Sequence, residues 1–277
     1  MARYWGLNIV IDGYWWTSKL ADGKILPVFV KMPNAPGAPP PLPAHPDWTN
    51  YSDNVVRPGV VNGLVEIYEY DTQEIFRAVA ANSVGALVIG AINDSGRELR
   101  VIPRDTQEAL SITPGLAKPV DWPGAMGSKS AMCKVMRGGC GVSGSDVVVE
   151  YQPYVLRFNA GIAKPDNVLL HELVHALRDM RGLYLTGPAP AGFPNIEELF
   201  AVMIEDMYLS AAGRNGEVHL TYTNNADVGS PAELEERFTK RFPVEIAWFI
   251  KQLSGLSKQL ASLSVPFNPL RRAGAGR

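Results

Sequence analysis

The chain has 277 residues, of which 46% are hydrophobic and 19% are charged. These values are typical of a folded globular protein with one or two domains, and they exclude wholesale disorder. The formal net charge of −2 argues against an electrostatic surface for nucleic acid. No apolar run approaches the roughly 18 residues of a membrane-spanning helix, so we expect no transmembrane segment.

The N-terminal region predicts short strands followed by a stiff connector. Residues 4–31 alternate apolar and polar side chains around a polar LADGK turn, which indicates a hairpin-like segment. Residues 33–46 hold seven prolines and favour a polyproline connector, or alternatively a motif for an SH3-like partner. We therefore expect a β-rich extension over residues 1–50 and a main domain over residues 51–277.

The first half of the main domain mixes helical and extended patterns. Residues 72–81 have helical spacing, and Ser83 opens a second short helix. Residues 98–103 predict a strand, whereas residues 113–147, rich in Gly, Pro and Ser, predict a long loop. Residues 146–161 alternate strongly enough to predict one or two further strands.

The cysteines and the first residues bear on the compartment. Cys133 and Cys140 are either a pair of small thiols or a disulfide across a Gly-containing turn, and their spacing does not decide between the two. The opening sequence MARYWGLNIVIDGYWW lacks an uninterrupted apolar stretch and a small-residue cleavage site. We therefore expect no Sec signal peptide.

Residues 165–182, PDNVLLHELVHALRDMRG, predict a helix that is apolar nearly all round and therefore buried. Asp166 is the expected N-cap and Gly182 the expected stop. Arg178 and Arg181 fall in the last turn, where a positive charge suits the negative end of the helix.

Within this helix His171, Glu172 and His175 form the pattern H-E-x-x-H. The i, i+4 spacing stacks both imidazoles on one face, so both can reach one tetrahedral metal ion. Glu172 lies about 100° further round the helix, where its carboxylate can accept a proton from a metal-bound water. A pair of core histidines without metal is the alternative, and it would leave buried polar groups in need of partners.

A third ligand is expected from the next helix, predicted over residues 194–214. Its first turn offers Glu197 and Glu198, of which we favour Glu198 as the ligand and regard Glu197 as its supporting partner or the alternative ligand. Glu198 also stands three residues after Asn195, as in a capping box. Glu205 follows two turns after Glu198, either to orient a ligand histidine or as a solvated charge.

HELVHALRDMRG followed by NIEELFAV resembles the zinc metallopeptidases among bacterial secreted effectors, including type III effector proteases and type VI secretion effectors. The clostridial neurotoxin light chains share a similar arrangement. The upstream segment ANSVGALVIGAINDSGRELRVIP and FNPLR at residues 267–271 resemble the same group. The resemblance implies a zincin-like α+β fold with a small mixed sheet. It also implies one Zn²⁺ per chain, held by His171, His175 and Glu198, with Glu172 as the base.

The same resemblance implies a function and a route. The chain would be a zinc endopeptidase acting as a secreted toxin on a protein substrate in a target cell. Delivery would use a contact-dependent machine such as type VI secretion, with a spike or adaptor as partner and an immunity protein in the producing cell. It would thus be secreted without a signal peptide.

Two other functions remain open at this point. A metal that only joins two helices would make the chain a structural or binding protein. A zinc amidase acting on a cell-wall amide would use the same residues, because H-E-x-x-H determines the attacking water and not the bond that is cut. Tyr208, His219 and Tyr222 are candidates to stabilise an oxyanion, and the sequence does not choose among them.

Overall fold

The computed structural model describes residues 3–4, 8–11, 17–19, 25–27, 58–104, 113–126, 143–154, 157–158, 161–162, 164–186, 190–222 and 229–274. Within these ranges the chain is an α+β protein with a small mixed sheet, so the predicted fold class is confirmed at that level. The predicted proline-rich connector, the boundary near residue 50, Cys133 and Cys140 lie outside the described residues.

Strands and helices alternate in the first half of the chain, and the described part of the second half is mainly helical. The strands are β1 (Arg3–Tyr4), β2 (Ile9–Ile11), β3 (Thr17–Lys19), β4 (Ile25–Pro27), β5 (Leu99–Pro103), β6 (Gly115–Pro119), β7 (Val147–Tyr151), β8 (Arg157–Phe158) and β9 (Gly161–Ile162). The helices are α1 (Pro58–Ala81), α2 (Ser83–Asn93), α3 (Trp122–Ala125), α4 (Pro165–Met180), α5 (Ile196–Ala211), α6 (Pro231–Arg241), α7 (Pro243–Gln252), α8 (Ser254–Ser262) and α9 (Pro269–Gly274).

The main sheet has the strand order β1-β2-β5-β7-β6. β2, β5 and β7 run parallel to one another, while β1 and β6 are antiparallel to their neighbours. The strand β2 from the predicted N-terminal extension thus pairs within the same sheet as the main domain, and the domain boundary itself stays a prediction. β3 pairs with β4 on the two sides of the LADGK segment, but β2, which the predicted hairpin placed opposite the strand after LADGK, pairs with β1 and β5 instead. β8 pairs with β9.

Most of the predicted elements are confirmed, and one prediction is wrong. The helices over residues 72–81 and from Ser83, and the strands at residues 98–103 and 146–161, are present. The predicted loop over residues 113–147 instead contains β6 and α3. β6 is short, with Gly at its start and Pro at its end, so its stability comes from pairing with the distant β7 rather than from local propensity.

A sharp bend joins α1 to α2. Asn82 caps α2, its side-chain Oδ1 accepting from the Val84 N–H at 2.9 Å. Gly85 lets the two helices meet closely, because a Cβ there would lie 2.1 Å from the Val79 carbonyl oxygen. Among the described helices none is by itself long and apolar enough to cross a membrane. The bent pair Tyr68–Ala81 and Ser83–Asn93 meets that test jointly, on length and composition.

α4 occupies the centre of the molecule. It packs against β6 and β7 on one side and against α1, α2 and α5 on the others. Its apolar side chains are buried nearly all round, as the sequence pattern predicts; they include Leu169, Leu170, Leu173, Ala176 and Leu177. A helix in this position needs no solvent-facing stripe, so the polar side chains that it does carry line a cavity or bind a buried partner.

Residues near the C-terminal end of the described chain form hydrogen bonds with three of the preceding helices. The Phe267 N–H donates to the Ser210 hydroxyl at 2.8 Å, and the Asn268 N–H donates to the Glu235 carboxylate at 2.7 Å. The Asn268 amide nitrogen also donates to the Leu260 carbonyl oxygen at 2.9 Å. This segment, which we call the tail clasp (Phe267 and Asn268 with these partners), therefore ties α5, α6 and α8 together.

Replacing Asn268 by Ala tests the tail clasp. The change leaves buried carbonyl and N–H groups without partners, and we expect it to lower the free energy of unfolding by about 1–3 kcal/mol. Urea denaturation measures the effect. Ser264→Ala, at an exposed position in the same segment, serves as the control and should change stability by less than about 0.5 kcal/mol. Equal midpoints for the two variants would show that the Asn268 side chain contributes nothing to the tail clasp.

Candidate metal centre

The start of α4 is determined by Pro165. Lys164 is the N-cap residue and Pro165 follows in the first turn, where its missing N–H is harmless. The predicted N-cap Asp166 is therefore wrong, because the helix begins one residue before it. The Asp166 carboxylate instead accepts from the Tyr208 hydroxyl and from the Arg214 guanidinium, each at 2.8 Å. These bonds tie the start of α4 to the end of α5.

The two motif histidines and one glutamate converge on a common point. The His171 and His175 Nε2 atoms are 3.2 Å apart. Glu198 Oε2 on α5 lies 2.9 Å from His171 Nε2 and 3.5 Å from His175 Nε2. One donor atom from each residue falls within 4.8 Å of the others. This partly buried group of two imidazoles and one carboxylate could hold a metal ion.

The chemistry of these donors fits a cation between them. The His171 Nδ1 atom lies 3.1 Å from a Glu205 carboxylate oxygen, which favours a proton on Nδ1 and a lone pair on Nε2. That lone pair then faces the Glu198 oxygen, which is also an acceptor. Such an arrangement of acceptors needs a proton or a metal ion among them.

The acidic neighbours have a marked effect on the histidines. Burial alone would lower the pKa of His171, but its bonds with Glu198 and Glu205 outweigh burial and hold that pKa well above its ordinary value. The pKa of His175 is likewise raised because the interaction with Glu198 outweighs burial. The paired histidines, in turn, hold the pKa of Glu198 below its usual range despite burial. The site therefore has a strong preference for positive charge.

Adjacent glutamates have different roles at the start of α5. The Asn195 side chain caps the helix by accepting from the Glu198 N–H at 3.0 Å, while the Glu198 side chain turns to the histidines. Glu197 points the other way, and its Oε1 accepts from Arg178 Nη2 at 2.9 Å and from the Leu185 N–H at 2.8 Å. The structure therefore brings Glu198, and not Glu197, to the metal group.

Arg178 lies in the last turn of α4, as predicted, and its side chain bonds partners outside the helix. Its guanidinium bonds Glu197, the Gln252 side chain and the Leu183 carbonyl. The side chains of Arg178 and Glu197 are 0% and 2% exposed, so this is a fully buried ion pair. The helix itself ends where predicted, since Gly182 adopts φ +63° just after the last turn.

Glu172 is buried beside the metal group and is held by the edge strand β6. Its Oε2 accepts from the Ala117 N–H at 2.8 Å. Gly115 makes room for it, because a Cβ at that position would lie 2.6 Å from Glu172 Cγ. Burial raises the pKa of Glu172, and the positive charge of His175 and His171 opposes this shift without cancelling it. The carboxylate is thus a better base than an exposed one.

These groups share one cavity of about 820 Å³. β6 lines one side, α4 the floor and α5 the other side. Of the three tyrosine and histidine candidates, His219 and Tyr222 line the cavity. Tyr208 donates its hydroxyl to Asp166 instead and is not among the lining residues.

His219 is oriented by a buried carboxylate. Its Nδ1 lies 3.0 Å from Asp206 Oδ1, and both side chains are almost fully buried. Burial would lower the pKa of His219, but the charge of Asp206 raises it to about 9. The imidazole is therefore protonated at neutral pH, and its Nε2 has no hydrogen-bond partner within the part of the chain that the structure describes.

Sequence reasoning did not find several residues of the cavity. Gly115 and Ala117 lie in the segment predicted as a loop, and Trp122 and Tyr184 lie in irregular or short elements. No periodic signal marks them, because their roles depend on pairing with β7 and on packing against α4.

The comparisons with known proteins yield no relative for this chain. Neither the protein-family models, nor the curated proteins, nor the solved structures contain a significant match.

The division of labour between Glu197 and Glu198 can be tested by separate substitutions. Glu197→Gln leaves Arg178 as an uncompensated buried charge, so it should cost about 3–5 kcal/mol of stability while the folded protein still binds metal. Glu205 only orients a histidine, so Glu205→Gln should lower the metal affinity by roughly 10–100-fold. Glu198→Gln removes a ligand and should lower the metal affinity by more than this. Urea denaturation and metal titration measure these effects. Normal metal affinity in Glu198→Gln would contradict the assignment.

Proposed function

We propose that this chain is a zinc-dependent metallopeptidase of the zincin type, with an endopeptidase activity. The observation that carries the proposal is the joint presence, in one cavity, of the His171, His175 and Glu198 group and the buried carboxylate of Glu172. Two imidazoles and one carboxylate form a donor set that suits Zn²⁺ and leaves its fourth position for water. A structural site would more typically use four protein ligands.

The residues of this chain have distinct tasks in the proposed reaction. Zn²⁺, when bound, supplies a water of lowered pKa and polarises the scissile carbonyl. Glu172 accepts the water proton and then delivers it to the leaving amine nitrogen. The Ala117 N–H holds the Glu172 carboxylate in place, and Gly115 leaves the space that it needs. Glu205 orients the His171 ring through Nδ1.

The edge strand β6 favours a peptide over a cell-wall amide. In its antiparallel pairing with β7, alternate residues direct their backbone groups away from β7, and Gly115 and Ala117 are among them. The Ala117 N–H is bonded to Glu172 and the Gly115 N–H to Thr113, so it is the outward carbonyl groups of Gly115 and Ala117 that can accept hydrogen bonds from an extended chain by β-strand addition. An extended peptide would then cross the cavity next to the metal group.

His219 is the best candidate to stabilise the oxyanion of the transition state. It is protonated at neutral pH, it is oriented by Asp206, and it lines the cavity with Nε2 free to donate. A preorganised cationic donor of this kind is stronger than a neutral one. Tyr222, which also lines the cavity, is 39% exposed.

The biological role remains part of the proposal. The resemblance of HELVHALRDMRG and NIEELFAV to secreted effector peptidases supports a toxin delivered to a target cell by type VI secretion. A protein substrate in that cell, a spike or adaptor, and an immunity protein would be its partners.

Glu172→Gln separates an enzyme from a protein with a structural metal. The amide has nearly the same size as the carboxylate but cannot accept a proton, so cleavage of a proteome-derived peptide library should fall by about 10²–10⁴-fold. Metal analysis of protein purified without added zinc should show about one Zn²⁺ per chain for both proteins. Full cleavage by a folded, zinc-loaded Glu172→Gln protein would end the proposal.

His219→Gln tests the oxyanion role. We expect kcat to fall by about 10²–10³-fold with little change in KM. Because the raised pKa of His219 is about 9, the wild-type kcat should decline above that pH as the imidazolium loses its proton, and the variant should lack this decline. Tyr208→Phe is the control, since its hydroxyl binds Asp166 outside the cavity. An identical high-pH limb in both proteins would assign the decline to another group.

A further inference from the structure

One buried carboxylate at the cavity has no partner. Asp179, in the last turn of α4, is 2% exposed, and its Oδ1 forms no hydrogen bond within the described ranges of the chain. Asp179 nevertheless lines the cavity that holds the metal group. Unpartnered buried polar atoms are rare in native structures, and each calls for a physical reason.

The charges around Asp179 do not compensate it. The neighbouring guanidinium of Arg178 is engaged by Glu197, and Lys118, which also lines the cavity, is bound to Glu150 at 2.6 Å. Burial raises the pKa of Asp179 to about 8, and the negative charge of Glu197 acts in the same direction. The positive charges of His175 and Arg178 oppose the shift only in part, and Glu172 adds to it. At neutral pH this carboxyl group is therefore mostly protonated, and a cation that arrives from the cavity would stabilise its ionised form.

Aromatic rings line the same cavity, and one of them is close to Asp179: burial raises the pKa of the Tyr184 hydroxyl, and the charges of Glu197 and Asp179 raise it further. Trp122 and Tyr184 both line the cavity, with their ring centroids 5.3 Å apart and their planes at 77°. Trp122 is 45% exposed, so part of its ring is accessible. Faces of aromatic rings attract ammonium and guanidinium groups, and Trp does so best. A carboxylate next to such rings has the composition of a site for an organic cation.

We propose that Asp179, with Trp122 and Tyr184, forms a subsite that selects a lysine or arginine side chain of the peptide substrate. The proposal rests on the proposed peptidase function and specifies its substrate class. Asp179 lies seven residues after Glu172, which is two turns along the same helix face and about 10 Å. An extended peptide advances about 3.3 Å per residue, so the basic residue lies within about three positions of the scissile bond.

A peptide library tests this subsite. Peptides that carry Arg, Lys or norleucine at each position from P3 to P3′ are offered to the zinc-loaded wild type and to Asp179→Asn. We expect wild type to prefer a basic residue at one position, and the ratio of kcat/KM for basic over norleucine peptides to fall at least about 10-fold in Asp179→Asn. A purely structural role would lower both rates and leave that ratio unchanged, which would overturn the inference.

Two further variants keep the result interpretable. Trp122→Leu, at a half-exposed position, should reduce the same ratio by about 2- to 5-fold. Asp94→Asn, which neutralises an exposed carboxylate at the end of α2, should leave the wild-type ratio intact. A wild type that cleaves peptides without any basic preference overturns the subsite and leaves the peptidase standing.

A binding measurement decides the case in which no peptide is cleaved. That outcome would refute the peptidase proposal, whereas the subsite can still be probed directly with N-acetyl-arginine methylamide and N-acetyl-norleucine methylamide. Saturation-transfer NMR should detect binding of the arginine probe to wild type and its loss in Asp179→Asn. Equal signals from both probes, or an arginine signal that persists in the variant, would rule out the subsite.

Discussion

The buried ion pair between Arg178 and Glu197 determines how the two central helices meet. Arg178 stands three residues after His175 on α4, and Glu197 directly precedes Glu198 on α5. The pairing of Arg178 with Glu197 therefore sets the rotation of both helices about their axes and directs Glu198 to the histidines. The guanidinium also lies 4.3 Å from the centroid of the Phe200 ring. Any slip of this register would leave a charge unpaired in the core, at several kcal/mol.

The same pair extends its influence to the C-terminal layer. Gln252, the last residue of α7, accepts from Arg178 at 3.1 Å, so α7 is linked to α4 through this guanidinium. The position of Glu198 depends on α7 as well as on α4 and α5.

Local patterns predicted the parts of the site that lie on one helix, and missed those that depend on pairing across the fold. His171, Glu172 and His175 are fixed by helical spacing, and the end of α4 follows from Gly182 alone. The role of Arg178 could not be read from its place in the last turn, since its partner is on another helix. The same is true of Ala117, whose N–H faces Glu172 only because β6 lies at the edge of the sheet.

The separations along the chain imply an order of assembly. His175 and Glu198 are close in sequence and come from consecutive helices, so bringing them together closes a short loop at small entropic cost. Ala117 and Glu172 are 55 residues apart, and their contact requires the sheet to be in place. Contacts of greater separation form more slowly on average. His171, His175 and Glu198 can therefore meet in a chain in which Glu172 has not yet reached Ala117, so during folding the candidate metal group forms before the contact that positions Glu172.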